Sequence, residues 1–263
     1  MQKTAAMKRA GAVMGVTIAV LCVLLVAFSY YHATRATISP YGELSLWDTI
    51  VMNSDIIMGL VFLAACSVPF FLKFERRKPR AREMVPLAVM AALGVVGRTV
   101  FQLIPLPNFK PVSAIVIITA VAFGPEAGFM TGALTAFVSN FIFGQGPWTP
   151  WQMFSFGIIG FLAGILYQKG ILKARKRDLC IYGFLSVVLI YGGIMNPASI
   201  LMSYGYITPA SLVAFYISGI PVDLVHALST VIFLWFLSRP LLEKLERIKK
   251  KYGLIESGKE EML

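Results

Sequence analysis

The side chains that could do chemistry fall into two groups. The first is buried in apolar sequence. Arg98 lies well inside a hydrophobic run that begins near residue 84. An arginine in such a run is costly and marks a functional or structural partner site. The acids that match it in type are Asp223 and Glu126. Asp223 and His226 are three residues apart, so on a helix they share a face and could hold a metal, relay a proton or bind a ligand. A third metal ligand is not evident, because His32 lies in another part of the chain. His226 bonding to a neighbouring helix is the plainer alternative. Arg98 snorkelling or capping loop carbonyls is the plainer one for that residue. Glu126 follows Pro125, which is ordinary helix-start chemistry.

The second group is aromatic and amidic. Trp47, Trp148, Trp151, Tyr204 and Tyr206 sit between apolar runs, with Asn108, Lys110, Gln145, Gln152 and Asn196 among them. Rings alone would form an interfacial belt. Amides beside the rings are more than a belt needs, so a ligand surface is the competing reading. Motifs for a serine hydrolase, a zinc protease or a Walker-type nucleotide loop are missing from the sequence. Cys22, Cys66 and Cys180 each lie in an apolar run without a CxxC partner, which reads as inert buried thiol. No cofactor or metal is expected.

The elements that must position these groups are membrane helices. The 263 residues are 57% hydrophobic and only 14% charged. Several runs reach the roughly 18–20 residues needed to cross about 30 Å of hydrocarbon. Eight spans are expected, near 11–31, 49–72, 84–104, 112–123, 125–143, 151–168, 178–195 and 221–237. The first begins after a basic stretch like a signal peptide, yet it is long and lacks a small-residue cleavage site, so it reads as a retained anchor. With the N-terminus inside, 21 of the 24 Lys and Arg residues fall in inner segments, and only Arg35 and Lys110 fall outside. That asymmetry places both termini in the cytoplasm of a bacterial cell. The net charge of +11 is therefore topological and no sign of nucleic-acid binding.

The chain divides by pattern into an N-terminal two-helix hairpin with a basic linker (1–83), a six-helix core (84–240) and a basic amphipathic tail (241–263) suited to an anionic leaflet. Inside the core, residues 108–152 organise the rest. Two apolar runs meet at Gly124-Pro125-Glu126, and Gly124, Gly128, Gly132 and Ala136 repeat every fourth residue. On a helix these share a face that lets another backbone approach closely. Ala88 and Ala92 form a second small pair at the start of the first core helix.

Together these features resemble the substrate-binding S-component of an energy-coupling factor (ECF) vitamin transporter. The resemblance rests on AxxxA at Ala88 and Ala92, on PLPNFKPVSAIVIITAVAFGPEAGFMTG (105–132), and on six core helices with both ends inside. It covers residues 84–240, and the 1–83 hairpin departs from it. The GQGPWTPWQ (144–152) and IPVDLVHALST (220–230) stretches look most like members assigned to cobalamin or related large ligands. The resemblance implies an all-α membrane protein that captures a vitamin at its outer face, the best guess being cobalamin or a corrinoid precursor. Site residues would come from Asn108, Lys110, Gln145, Trp148, Trp151, Gln152, Asn196, Tyr204, Tyr206, Asp223 and His226. It also implies a T-component that docks on Ala88 and Ala92, two cytoplasmic ATPases, and delivery by toppling of the whole body. The rival readings are a membrane enzyme using Arg98, Asp223 and His226, and a solitary ion-coupled carrier.

Overall fold

A computed structural model describes residues 81–204 and 207–253, with Leu63, Ser67, Val68, Phe70, Phe71, Phe74 and Glu75. Six helices make up the continuous part. They are α1 (Ala81–Phe101), α2 (Val112–Phe123), α3 (Pro125–Phe143), α4 (Trp148–Gln168), α5 (Lys176–Tyr204) and α6 (Pro209–Lys251). The fold is all-α, as expected. Four of these helices (α1, α4, α5 and α6) are long and apolar enough to cross a membrane. The chain divides into two compact units, one of residues 70–195 and 219–263, the other of 1–69 and 196–218.

The first unit holds the core. Its axis is α2, in which eleven of twelve residues are buried. Twelve residues rise only about 18 Å, well short of a bilayer's hydrocarbon. The helix is therefore enclosed by its neighbours, and the 101–111 connection covers its start. Pro105, Pro107 and Pro111 keep that connection out of helix. Asn108, at φ 61°, turns the chain back toward α2. Phe101 and Phe109 pin it down against Phe233 of α6, with ring centroids 4.7 and 5.5 Å away.

The small-residue stripe behaves as its spacing requires. A methyl group on Gly132 would fall 2.6 Å from the Phe156 carbonyl, and one on Gly160 would fall 2.6 Å from that of Gly128. The backbones of α3 and α4 are thus in direct contact, which only hydrogen side chains permit. The matching stripe on α4, Gly157, Gly160 and Gly164, was not picked out from sequence. Phe70 stacks on Phe129 of α3 at 4.2 Å and meets Phe161 of α4 edge-on at 4.7 Å.

Boundaries differ from expectation in four helices, α1 running from Ala81 to Phe101 where 84–104 was expected. α4 begins at Trp148, three residues early, because Pro147 and the Thr149 side chain start it. α5 runs unbroken to Tyr204, through a π-helical segment at Val187–Tyr191 and past Pro197. α6 begins at Pro209 and continues beyond residue 240 to Lys251. Leu245 is buried in the core, and Lys249 Nζ donates to the Ala122 carbonyl at 2.9 Å, so part of the basic tail is docked on the end of α2.

In the second unit, Thr208 and Ser211 form a reciprocal cap at the start of α6: Ser211 N donates to Thr208 Oγ1 at 3.0 Å, and Thr208 N to Ser211 Oγ at 2.9 Å. Tyr204 meets Phe215 edge-on at 5.8 Å. The expected 11–31 span and most of 49–72 lie outside the described residues, as do Trp47, Cys22, Cys66 and Tyr206.

Candidate functional site

Polar chemistry in the core unit gathers at the end carrying the 101–111 and 144–147 connections. It forms two adjoining networks.

The first is built on Arg98, in the last turn of α1. Its guanidinium donates to Ser139 Oγ at 2.5 Å and to Asn140 Oδ1 at 2.8 Å, and lies 4.5 Å over the Phe143 ring. Asn140 Nδ2 passes the connection on to Thr149 Oγ1 and Gln152 Oε1, both at 2.9 Å. Thr149 then donates to Gln145 Oε1 at 2.9 Å. Arg98 therefore orients a chain of neutral amides and hydroxyls that ties α1, α3 and α4 together. This is a positioning network: each member is occupied by the next. Asn140, fully buried, uses both its carbonyl and its amino group. Sequence reading missed Ser139, Asn140 and Thr149. An Arg in an apolar helix must find acceptors at the same depth, and the Ser139-Asn140 pair ending α3 was the signal available.

The second network is built on Lys110. The residue is 5% exposed, and its Nζ donates to Asn108 Oδ1 at 2.7 Å. The ammonium also lies 5.5 Å from the ring centre of Phe156 and 5.6 Å from that of Tyr191. Burial pushes its pKa well below the ordinary lysine value, and the positive charge of Arg98 pushes in the same direction. The Lys110 backbone is clasped by Ser229 of α6, at 3.4 Å through N and 3.3 Å through O. Behind it, Ser113 Oγ lies 3.0 Å from His226 Nε2. The His226 ring is fully buried and meets Tyr191 edge-on at 4.6 Å. Its Nδ1 has no hydrogen-bond partner among the described residues. Tyr191 closes the π segment of α5, and such segments recur at functional sites because they rotate one side chain out of register. No sequence pattern could have revealed that rotation.

A hollow of about 360 Å³ is lined by the end of α1 and the connection after it, with Arg98, Phe101, Gln102, Ile104, Asn108 and Lys110 among its residues. Its size is at the small end of ligand pockets. Of the residues expected at the site, Asn108 and Lys110 line it. Gln145 and Gln152 belong to the Arg98 network, and His226 stands behind Lys110. Trp151 is buried and Trp148 is 37% exposed, both in the first turn of α4 and not in a loop. Asp223 is half-buried on α6, one turn before His226. Asn196, half-buried, and Tyr204, exposed, belong to the other unit. Ala88 and Ala92 are exposed on α1, in line with Val85, Val89 and Val96. Among the described residues no three His, Cys, Asp or Glu side chains gather as a metal set.

Comparison with known proteins agrees with this architecture. The profile of the family described as ECF-type riboflavin transporter, S component, matches residues 78–243, more than half of the chain. A UPF0397 protein of Vibrio atlanticus is 32% identical over 117 residues, covering 43% of this chain and 64% of that protein. One from Aliivibrio salmonicida is 31% identical over 120 residues, covering 43% and 63%. The chain thus spans just under two thirds of the length of these relatives. No solved structure matches. Arg98 is bonded to Ser139 and Asn140, and His226 to Ser113. With the profile covering α1 to α5 and most of α6, the chain belongs to the ECF-type riboflavin transporter S-component family.

Proposed function

We propose that this protein is the substrate-capturing subunit of an ECF-type importer. It takes a vitamin-like small molecule at the end of the bundle closed by the 101–111 and 144–147 connections. That end faces outward, because the opposite end carries Lys169, Lys173, Arg175 and Arg177 and the basic stretch of α6. Both termini are then cytoplasmic. The observation that carries the reading is the hollow formed by the end of α1 and the connection after it, where Arg98, Gln102, Asn108 and Lys110 stand among Phe101, Ile104, Leu106 and Phe109.

Delivery inward requires partners. The exposed face of α1 carries the small side chains of Ala88 and Ala92, which would let a transmembrane T-component approach closely. Two cytoplasmic ATPases supply the energy, since this sequence has no nucleotide loop of its own. The family's description carries riboflavin, so a flavin is the first vitamin to try. Cobalamin or a corrinoid precursor, favoured by the 144–152 and 220–230 stretches, is the second.

The test is mass spectrometry of the ligand released from purified protein, with parallel titrations of riboflavin and cobalamin. One vitamin at near-stoichiometric occupancy supports capture and names the substrate. An empty protein that ignores both and a wider vitamin panel refutes capture, once lipid nanodiscs give the same result as detergent. Uptake by vesicles that lack any ATPase subunit would instead favour a solitary carrier.

A further inference from the structure

The groups around the hollow define the charge of what it takes, an inference that rests on the capture reading above. Lys110 Nζ carries three N–H donors when protonated. Asn108 Oδ1 accepts one of them. The rings of Phe156 and Tyr191 face the same ammonium, and a ring face neutralises a cation only in part. The charge that acts on Lys110 is Arg98, of like sign. α2 begins two residues after Lys110, and its first backbone N–H groups point toward the same end.

Two further observations are independent of that charge count. His226 Nδ1, fully buried behind Tyr191, has no hydrogen-bond partner among the described residues. The π segment Val187–Tyr191 is a departure from the regular helix that brings Tyr191 against both His226 and Lys110. A fold that needed only stability would place a leucine at residue 110. A buried ammonium with one hydrogen bond among the described residues is destabilising on its own, and an anion beside it would offset that cost and hold the amine protonated.

We infer that the ligand taken at this hollow carries a negatively charged group, a carboxylate or a phosphate, that docks on the Lys110 ammonium. A wholly neutral vitamin would leave the ammonium as it stands. Phe101 and Ile104, in the same lining, would receive the ligand's apolar part.

The experiment uses the full chain in nanodiscs, as wild type, Lys110→Met and Lys110→Arg. The ligand retained on purification is identified by mass spectrometry in both ion modes and titrated back onto all three. Two matched pairs are titrated beside it by tryptophan fluorescence. Riboflavin against flavin mononucleotide tests a phosphate, and pantothenol against pantothenate tests a carboxylate. The expected results are a retained ligand that is anionic at neutral pH, and at least one pair in which the charged member binds more than about tenfold tighter. Lys110→Met should lose roughly thirtyfold or more for the charged ligand, the cost of removing one partner of a buried charge pair. Lys110→Arg should keep most of the affinity. A neutral or cationic retained ligand whose affinity is the same in Lys110→Met would overturn the inference and leave capture standing. So would pairs whose neutral members bind as tightly as the charged ones. An empty wild type that ignores all four probes, cobalamin and the wider vitamin panel overturns both. If Lys110→Met does not fold, as judged by size exclusion and melting, discrimination within the pairs by wild type decides the matter.

Discussion

Replacing Asn140 with leucine tests the reasoning about the Arg98 network most directly. Asn140 accepts from Arg98 at 2.8 Å and donates to Thr149 and Gln152 at 2.9 Å each. Leucine has nearly the same volume, so packing between α3 and α4 is preserved and the loss is mainly one of hydrogen bonds. A neutral side-chain bond inside a membrane bundle contributes about 0.6 kcal/mol, so the pair to Thr149 and Gln152 is worth roughly 1.2 kcal/mol. A bond to a charged group contributes about 1.5–3 kcal/mol, which makes the Arg98 bond the larger part. Asn140→Leu should therefore destabilise the bundle by about 3 kcal/mol, less any transfer gain from burying leucine. Arg98 keeps Ser139 as an acceptor, so the helix pair does not come apart. The assay is a double-mutant cycle of Asn140→Leu with Arg98→Met, read by reversible denaturant unfolding in mixed micelles. The coupling energy between the two should be about 1.5 kcal/mol or more, while Phe141→Leu on the exposed face of α3 should stay within about 0.5 kcal/mol. Coupling near zero would refute the idea that Arg98 is held by this amide, and would leave its cost to be met by snorkelling.

Gly132→Ala should destabilise by about 1–3 kcal/mol, because its methyl group would meet the Phe156 carbonyl at 2.6 Å; an unchanged melting temperature would mean the helices can separate freely. Ala88→Trp, on the exposed face of α1, should leave folding and ligand binding intact and abolish assembly with a T-component, measured by co-purification. Ala91→Trp, one residue over from Ala92 but buried, should instead destabilise the fold, measured as a lower melting temperature. For pH, the sign follows from Lys110, whose pKa is lowered by burial first and by Arg98 second. An anion bound to it raises the pKa again. Binding of an anionic ligand should therefore take up protons, and affinity should fall as pH rises through the raised value. Isothermal titration in buffers of different ionisation enthalpy reads the uptake directly, and protons released on binding would contradict the assignment.

The sequence by itself determined the helices and their close contacts. Apolar runs long enough to cross a bilayer, broken by prolines and by Gly124-Pro125, leave few alternatives to the α1–α6 succession. The stripe at Gly128 and Gly132 named the tightest packing surface, because only missing side chains let backbones touch. The Ala88–Ala92 spacing chose their side of α1 in the same way, since residues four apart share a helical face. Asn108 and Lys110 were legible as polar residues of an outer segment between apolar helices, and both line the hollow. What only the tertiary structure decided was which polar groups meet. Arg98 pairs with residues 41 and 42 positions away on α3, and Ser113 reaches His226 across 113 positions. Such distances along the chain leave no local pattern, and the partners are ordinary serines and asparagines. Tyr191 was hidden more deeply still. Its place beside Lys110 and His226 depends on one π-helical segment, and periodicity computed for a regular helix assigns that side chain to a different direction. Helical pattern sets which faces are buried, but the register between helices, fixed by packing over the whole bundle, sets the chemistry of the site.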